Sequence, residues 1–291
     1  MIFLCINEET KRMQSELVPP TKDKLRFIDL SQFEEKGKKL HETYIQEKPF
    51  PHIVIDNFLP EDILDQVLEE FADPDQLEWV SYNNPREQKL GSASEEQLGA
   101  ATRLLLYQLN SSLFLNFLES LTGVKGLIPD PHFQGAGLHQ IKPGGFMKIH
   151  ADYNYLARLN LEHRINLLLY LNKNWKEEYG GHFELWDRDM SSCQKRVLPI
   201  FNRCLVFTST DTSFHGHPNP LTCPDNRTRR SLAVNYYTAT ASGISTDQHQ
   251  SLWKVRPGEK VPIHVQQNRE FAKRIVPPIL LDAWRSLNRR S

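Results

Sequence analysis

Between residues 61 and 71 the apolar side chains Ile63, Leu64, Val67, Leu68 and Phe71 recur at i, i+1, i+4, i+5 and i+8, which lines one face of an α-helix. Asp65, Glu69 and Glu70 fall on its solvated side. Pro60-Glu61-Asp62 supplies the start, because proline is preorganised for the first helical position and acids complement the positive N-terminal end. Just upstream, Ile53-Val54-Ile55 is an apolar run of strand length, set off by Pro49 and Pro51 around Phe50. A weaker helical pattern from Phe33 to Tyr44 lies inside a polar stretch covering 1–48. Residues 80–92 show neither period and predict a long loop of the kind that often serves as a lid. Ser92 and Glu95 stand at capping-box spacing and predict a helical region to Leu121, broken at Asn110-Ser111 and stopped by Gly123.

Beyond residue 130 the period shortens. Gly137 to Lys142, Phe146 to His150, Arg164 to Leu171, His182 to Trp186, Arg196 to Ile200, Cys204 to Thr208 and Arg229 to Thr238 read as short strands separated by glycine, proline and asparagine. So many short strands at this spacing predict a jelly roll or barrel. From Ser245 helical signals return, with Leu280, Ala283, Trp284 and Leu287 at helical spacing. Nine Lys and Arg between Lys254 and Arg290 face Glu259, Glu270 and Asp282, consistent with a solvated helical cover. The expected organisation is an N-terminal polar and helical extension (1–48), a main domain (49–243, with helical support 60–123 and β core 130–240) and a C-terminal helical extension (244–291).

Composition narrows the partners. The 291 residues are 39% hydrophobic and 24% charged, with 35 basic against 36 acidic side chains, a net charge of −1. That balance disfavours a general binder of nucleic acid or acidic membranes, which needs a basic face. Small molecules or peptides are the expected partners. Cys5, Cys193, Cys204 and Cys223 form no CxxC pair, which points to free thiols in a reducing compartment. The apolar start Met1 to Ile6 is cut off at Asn7-Glu8-Glu9, short of a signal-peptide core, and no run of eighteen apolar residues occurs. A cytoplasmic location without membrane contact is expected.

The chemistry is carried by an ordered set of polar residues. His150-Ala151-Asp152 is followed by His215 just past the strand Cys204 to Phe207, and then by Arg229-Arg230-Ser231 opening the last strand. Two imidazoles and one carboxylate can occupy one face of an octahedral metal and leave three positions open, the arrangement of non-haem Fe(II) oxygenases. The open positions suit a bidentate 2-oxo acid and dioxygen. An arginine at the far end of the pocket suits the distal carboxylate of that acid, and a serine two residues on points to the same side of the strand. His217 shares the strand face of His215 and is its rival as third ligand. Arg230 rivals Arg229, but Leu232, Val234 and Tyr236 share its parity and look like packing residues, whereas Ser231, Ala233 and Asn235 share that of Arg229. His52, His132, His139 and His182 have no spacing argument and are expected to be structural or exposed.

With these residues the chain resembles the 2-oxoglutarate and Fe(II)-dependent dioxygenases, within them the prolyl 4-hydroxylase-like branch. Pro143-Gly144-Gly145-Phe146 ahead of the HxD, the run Asn166 to Asn172 ending Tyr170-Leu171-Asn172, and Gly180-Gly181-His182-Phe183 follow in the order typical of that branch. The resemblance spans roughly residues 49–240. It implies a mainly β fold, a double-stranded β-helix (jelly roll) core with N- and C-terminal helices packed outside. It implies His150, Asp152 and His215 as iron ligands, with His215 preferred because it precedes glycine and a nearby proline. It implies Arg229 as the 2-oxoglutarate anchor, with Ser231 and Tyr170 beside it, and Fe(II), 2-oxoglutarate and, as a candidate auxiliary, ascorbate. The expected reaction is hydroxylation of an aliphatic C–H on a small polar metabolite, a sugar-containing compound or a peptide. Two alternatives stand beside it: a non-catalytic β-helix binding or assembly module, and a prolyl hydroxylase of a protein substrate. Ile141, where that branch usually has tyrosine, and the long gap from His215 to Arg229 depart from the prolyl hydroxylase pattern.

Overall fold

The computed structural model describes residues 27–71, 78–92, 94–133, 136–240 and 248–259. Helix α1 (Phe33–Gln46) leads into strand β1 (His52–Ile55) and helix α2 (Glu61–Glu69); the hairpin β2 (Trp79–Asn84) and β3 (Glu87–Ser92) precedes helices α3 (Ala100–Leu109) and α4 (Ser112–Thr122). Strands β4 (Ile128–Pro129), β5 (Gly137–Ile141), β6 (Met147–Ala151), β7 (Tyr155–Leu156), β8 (Leu161–Tyr170), β9 (Phe183–Trp186), β10 (Cys193–Val197), β11 (Arg203–Thr208), β12 (His215–His217), β13 (Arg229–Ala239) and β14 (Leu252–Trp253) follow.

One antiparallel sheet runs β1-β11-β8-β13-β5-β3-β6-β12-β9-β10. It folds over on itself at β3, which pairs with both β5 and β6, so β11, β8, β13 and β5 face β6, β12, β9 and β10 across an interior. This is the jelly roll that the strand spacing predicts. Alternation divides each long strand between two environments. On β8, Ile165, Leu167 and Leu169 join Leu232, Val234 and Tyr236 of β13 and Cys204 and Val206 of β11 in a core shared with the four helices. The intervening residues turn inward, where Tyr170, Leu205 and Phe207 pack with Phe50, Phe183, Leu185 and Val197. The helices thus cover one outer face of the barrel and leave its interior for the site.

Several boundaries differ from expectation for identifiable reasons. Residues 80–92, expected as a loop, are most of the hairpin β2–β3, in register from Trp79↔Ser92 to Asn84↔Glu87. The side-chain oxygen of Asn84 closes the turn by accepting from the backbone N–H of Arg86 and Glu87. The hairpin stands half in solvent at the end of the barrel and carries few apolar residues, so it has no hydrophobic period. The capping box at Ser92 and Glu95 does not form. The Ser92 hydroxyl accepts from the Leu138 amide at 3.1 Å and ties β3 to β5. The start of α3 is capped instead by the Glu70 carboxylate, which accepts from the amides of Ala101 and Thr102 at 2.8 and 2.9 Å. The strand expected at 196–200 lies at Cys193–Val197. The break at Asn110-Ser111 and the left-handed stop at Gly123 are both present. After residue 245, where helix was expected, residues 248–259 instead bring strand β14 across the barrel mouth, and the helical spacing of 280–287 lies outside the described residues.

Candidate metal and co-substrate site

His150, Asp152 and His215 converge because of strand register. β12 runs antiparallel to β6 with His215 directly opposite His150, and Asp152 stands just past the end of β6. The close approach needs Gly216, where a Cβ would lie 2.8 Å from the carbonyl oxygens of both Met147 and Lys148. One ligand atom from each of the three side chains lies within 4.8 Å of the others. His150 Nε2 is 3.3 Å from Asp152 Oδ1, and His215 Nε2 is 3.6 Å from Asp152 Oδ2.

Each histidine is oriented by the same device: its Nδ1–H donates to the carbonyl two residues back, Lys148 for His150 (2.9 Å) and Ser213 for His215 (2.8 Å). Those bonds fix the tautomer and leave both Nε2 atoms as lone-pair donors aimed at a carboxylate. Burial pushes the His215 imidazole down to about 4, against the opposing pull of Asp152, so it is neutral near pH 7. Burial alone would raise the Asp152 carboxyl, but His215 and His150 outweigh it and hold the group well below the usual carboxylate range. Two imidazole nitrogens and a carboxylate converging at these distances fit a divalent cation, and two nitrogens with one oxygen fit iron(II). Asp152 is part-exposed while both rings are buried, so the open side of the cluster is the side of the carboxylate.

Trp253 completes the setting of His150. Strand β14 pairs with β6 so that Trp253 faces His150, and the indole stacks on the imidazole with centroids 4.6 Å apart and planes 25° apart. Arg86 of the hairpin turn stands 5.8 Å from the indole centroid.

The cluster opens into a cavity of about 460 Å³ that continues between the two halves of the barrel to Arg229. Arg229 and Ser231 point inward from β13, Ser231 directly opposite Tyr170 of β8, whereas Arg230 points out and lies over Phe71 among the helices. Arg229 is 3% exposed, its Nε donates to the Gly181 carbonyl at 2.9 Å, its Nη2 has no hydrogen-bond partner, and no ion pair to it exists among the described residues. Its guanidinium lies 5.0 Å from the Tyr170 ring centroid, and the Tyr170 hydroxyl, near enough to influence it, makes no well-formed hydrogen bond. Burial pushes the Tyr170 phenol up to about 12, so it remains protonated. A buried cation without a counter-ion is costly, and an anion held there would offset that cost.

The short motifs of the sequence build this end. Gly181 has φ +73° and sits so close that a Cβ would lie 3.0 Å from Arg229 Cδ. Asn172 staples the start of β13: its side-chain oxygen accepts from the Arg230 amide at 2.7 Å, and its Nδ2 donates to the Arg230 and Pro199 carbonyls.

All six residues singled out in the sequence therefore belong to one region, with Tyr170 behind Arg229. His217 is not part of the metal cluster, although it lines the same cavity. His139, expected to be structural or exposed, also lines it, opposite Ser231, where burial beside Lys89 and Arg229 pushes its imidazole down to about 3. At the mouth stand Tyr82, Glu87 and Lys89, inside the segment 80–92 expected as a lid although not singled out individually, and Arg158 and Trp253, which sequence reasoning missed. Alternation within a recognised hairpin would have found Tyr82 and Lys89, which are cross-strand partners with the Lys89 amine 4.9 Å from the ring. Nothing local marks Trp253.

Comparison with known proteins agrees with this architecture. Residues 136–237 match the family model described as the 2OG-Fe(II) oxygenase superfamily. Among solved structures, a prolyl-4-hydroxylase of Pseudomonas putida superposes with a TM-score of 0.50 at 17% identity, covering 70% of this chain and 100% of that one. A prolyl hydroxylase of Trichoplax adhaerens, solved with a hypoxia inducible factor oxygen degradation domain peptide fragment, gives 0.50 at 19% identity over 72% of this chain and 91% of its own. A prolyl 4-hydroxylase of Phytophthora capsici gives 0.50 at 21% identity over 77% and 70%. No curated protein sequence matches. Among the described residues no helix is long and apolar enough to cross a membrane.

Proposed function

We propose that this chain is a 2-oxoglutarate- and Fe(II)-dependent dioxygenase that holds its iron on His150, Asp152 and His215 and its 2-oxoglutarate on Arg229, Ser231 and Tyr170. The observation that carries the assignment is the pairing of two unmet demands in one cavity: a cluster of lone pairs that calls for a cation, and a buried arginine that calls for an anion. A 2-oxo diacid chelated at one end and ion-paired at the other answers both. When bound, the metal supplies dioxygen activation coupled to decarboxylation of 2-oxoglutarate to succinate, with one oxygen atom passed to a substrate C–H.

The chain's own residues do the positioning. Lys148 and Ser213 hold the two imidazoles in the ligating tautomer through their carbonyls. Arg229, fixed by Gly181, binds the distal carboxylate, and the Ser231 and Tyr170 hydroxyls donate to it. Leu168, Phe183 and Phe207 wall the interior and keep bulk water from the reacting end. The substrate enters past Tyr82, Tyr155, Arg158 and Gln250, a rim of aromatic and polar groups that carries both signs of charge with Glu87 and Lys89.

A cavity of about 460 Å³ shared with 2-oxoglutarate admits only a small part of a large substrate. An aliphatic C–H on a small polar metabolite, a sugar-containing compound or a peptide side chain fits that rim. Nucleic acid is not among the partners this reading predicts. Succinate release from 2-oxoglutarate with Fe(II) under oxygen, screened across amino acids, peptides and sugars, tests the proposal. Stimulated release by one class identifies the substrate; iron binding with no succinate from any of them would favour a binding module instead.

A further inference from the structure

His217 is a buried imidazole that neither the metal cluster nor the Arg229 contacts employ. It is 2% exposed, and neither ring nitrogen has a hydrogen-bond partner. Alternation on β12 turns it to the same side as His215, into the cavity. Register places it opposite Met147, whereas His215 lies opposite His150, so it stands farther than His215 from Asp152 along β6. Arg229 and Lys89 are near enough to act on it electrostatically. Leaving a polar group buried and unmet is costly, and native interiors rarely do so without a ligand or water to complete it.

We propose that His217 is a further binding residue for the co-substrate, donating a ring N–H to the distal carboxylate held by Arg229. The inference rests on Arg229 being the carboxylate anchor. A carboxylate offers about four lone-pair sites, more than one guanidinium edge can fill, and the Nε of Arg229 is already spent on Gly181. Lys89 is a weaker candidate for the task because its charge is met by Glu87 at 3.2 Å. An imidazole N–H beside the arginine adds a directed donor to the lone pairs that the guanidinium leaves unfilled. The two histidines of the His215-Gly216-His217 run thus divide the diacid between them, one serving the metal that chelates its 2-oxo end and the other its far end.

The test separates the two ends of the ligand. Affinity for 2-oxoglutarate and for 2-oxopentanoate, which has the same chain without the distal carboxylate, is measured by calorimetry on the full chain loaded with Mn(II), so no turnover is involved. Replacing His217 by leucine should weaken 2-oxoglutarate by roughly 10- to 100-fold, as for a lost hydrogen bond to a charged group, and leave 2-oxopentanoate within about twofold. His217→Gln, which keeps an N–H donor, should recover most of the loss. Equal weakening of both acids, or of neither, overturns the proposal. In the unaltered chain loaded with Zn(II), the His217 ring nitrogen resonance should move with the diacid and not with the monoacid, and the reverse result also overturns it. Arg229→Leu is the independent control: undiminished 2-oxoglutarate binding there would remove the anchor itself, whatever His217 does.

Discussion

The two ends of the cavity are built in different ways. At the inner end the polar groups come from barrel strands and are buried, and several are left unmet: Arg229 Nη2, the Tyr170 hydroxyl and both nitrogens of His217. At the mouth the groups come from the hairpin β2–β3 and the segment 248–259, and they satisfy one another: Lys89 with Glu87, His249 with Asp211, Lys148 and Arg256 with Glu259. Unmet groups in a dry interior are poised for one ligand of fixed shape. Groups that pair among themselves at a wet rim can trade partners at little cost, which suits a surface that must admit and release substrate. The inner end should therefore respond steeply to substitution and the mouth shallowly.

The metal cluster should give the largest effect. Replacing His150, Asp152 or His215 by alanine should abolish stoichiometric Fe(II) binding and 2-oxoglutarate turnover while far-UV circular dichroism stays unchanged. His217→Ala should retain iron. Full iron stoichiometry in His215→Ala would move the third ligand to His217 and erase the division of labour between the two histidines.

Next in size is the anion site. Truncating a buried charged partner typically costs about 2–5 kcal/mol, so Arg229→Ala should raise the KM for 2-oxoglutarate by roughly 30-fold or more. Arg230→Ala should leave that KM nearly unchanged, because its guanidinium lies outside the barrel, 4.9 Å from the Phe71 ring centroid. A larger effect at Arg230 would contradict the inward and outward parity of β13.

That parity is legible in the amino-acid sequence alone, and the reason is physical. Buried strands in this sheet alternate between a helix-covered face and the cavity, so Leu232, Val234 and Tyr236 advertise one side and, by elimination, Arg229, Ser231 and Asn235 the other. The metal cluster is legible because its spacing reflects strand connection in a recurring fold. The hairpin and β14 are not. Their side chains face neither a continuous apolar core nor a fixed partner in sequence, and Trp253 reaches His150 only through a pairing between residues about a hundred apart. His139 escapes for a related reason: a polar residue on a short strand, with no second histidine at ligand spacing, looks the same whether it faces solvent or a cavity.

At the mouth, Trp253→Leu should have an intermediate effect. The stacked indole restrains the His150 ring, and such contacts contribute about 0.5–1.5 kcal/mol beyond burial. Iron or cobalt affinity should fall severalfold, with Trp253→Phe recovering part of it. Metal binding should also quench less tryptophan fluorescence in either variant than in the parent chain, since the indole beside the metal ligand is gone. An unchanged metal affinity in Trp253→Leu would show that the carbonyl of Lys148 alone suffices to orient His150.

The smallest effect belongs to the ion pairs that fasten segment 248–259. Glu259 accepts from Lys148 and lies 3.3 Å from Arg256, all three part-buried. Burial alone would raise the Glu259 carboxyl, but Lys148 and Arg256 outweigh it and lower it below its ordinary value of 4.5. A carboxyl depressed in the folded state contributes stability that is present above its unfolded value and is lost as pH falls through the folded one. The contribution should hold at neutral pH and fade below about pH 4.5, and being near the surface it should not exceed about 1 kcal/mol. Glu259→Gln should accordingly lower the midpoint of thermal unfolding by a few degrees or less at pH 7 and have a smaller effect at pH 3, with high salt narrowing the difference at pH 7. A pH-independent difference between the two chains would mean that the carboxylate holds the segment by packing and not by charge.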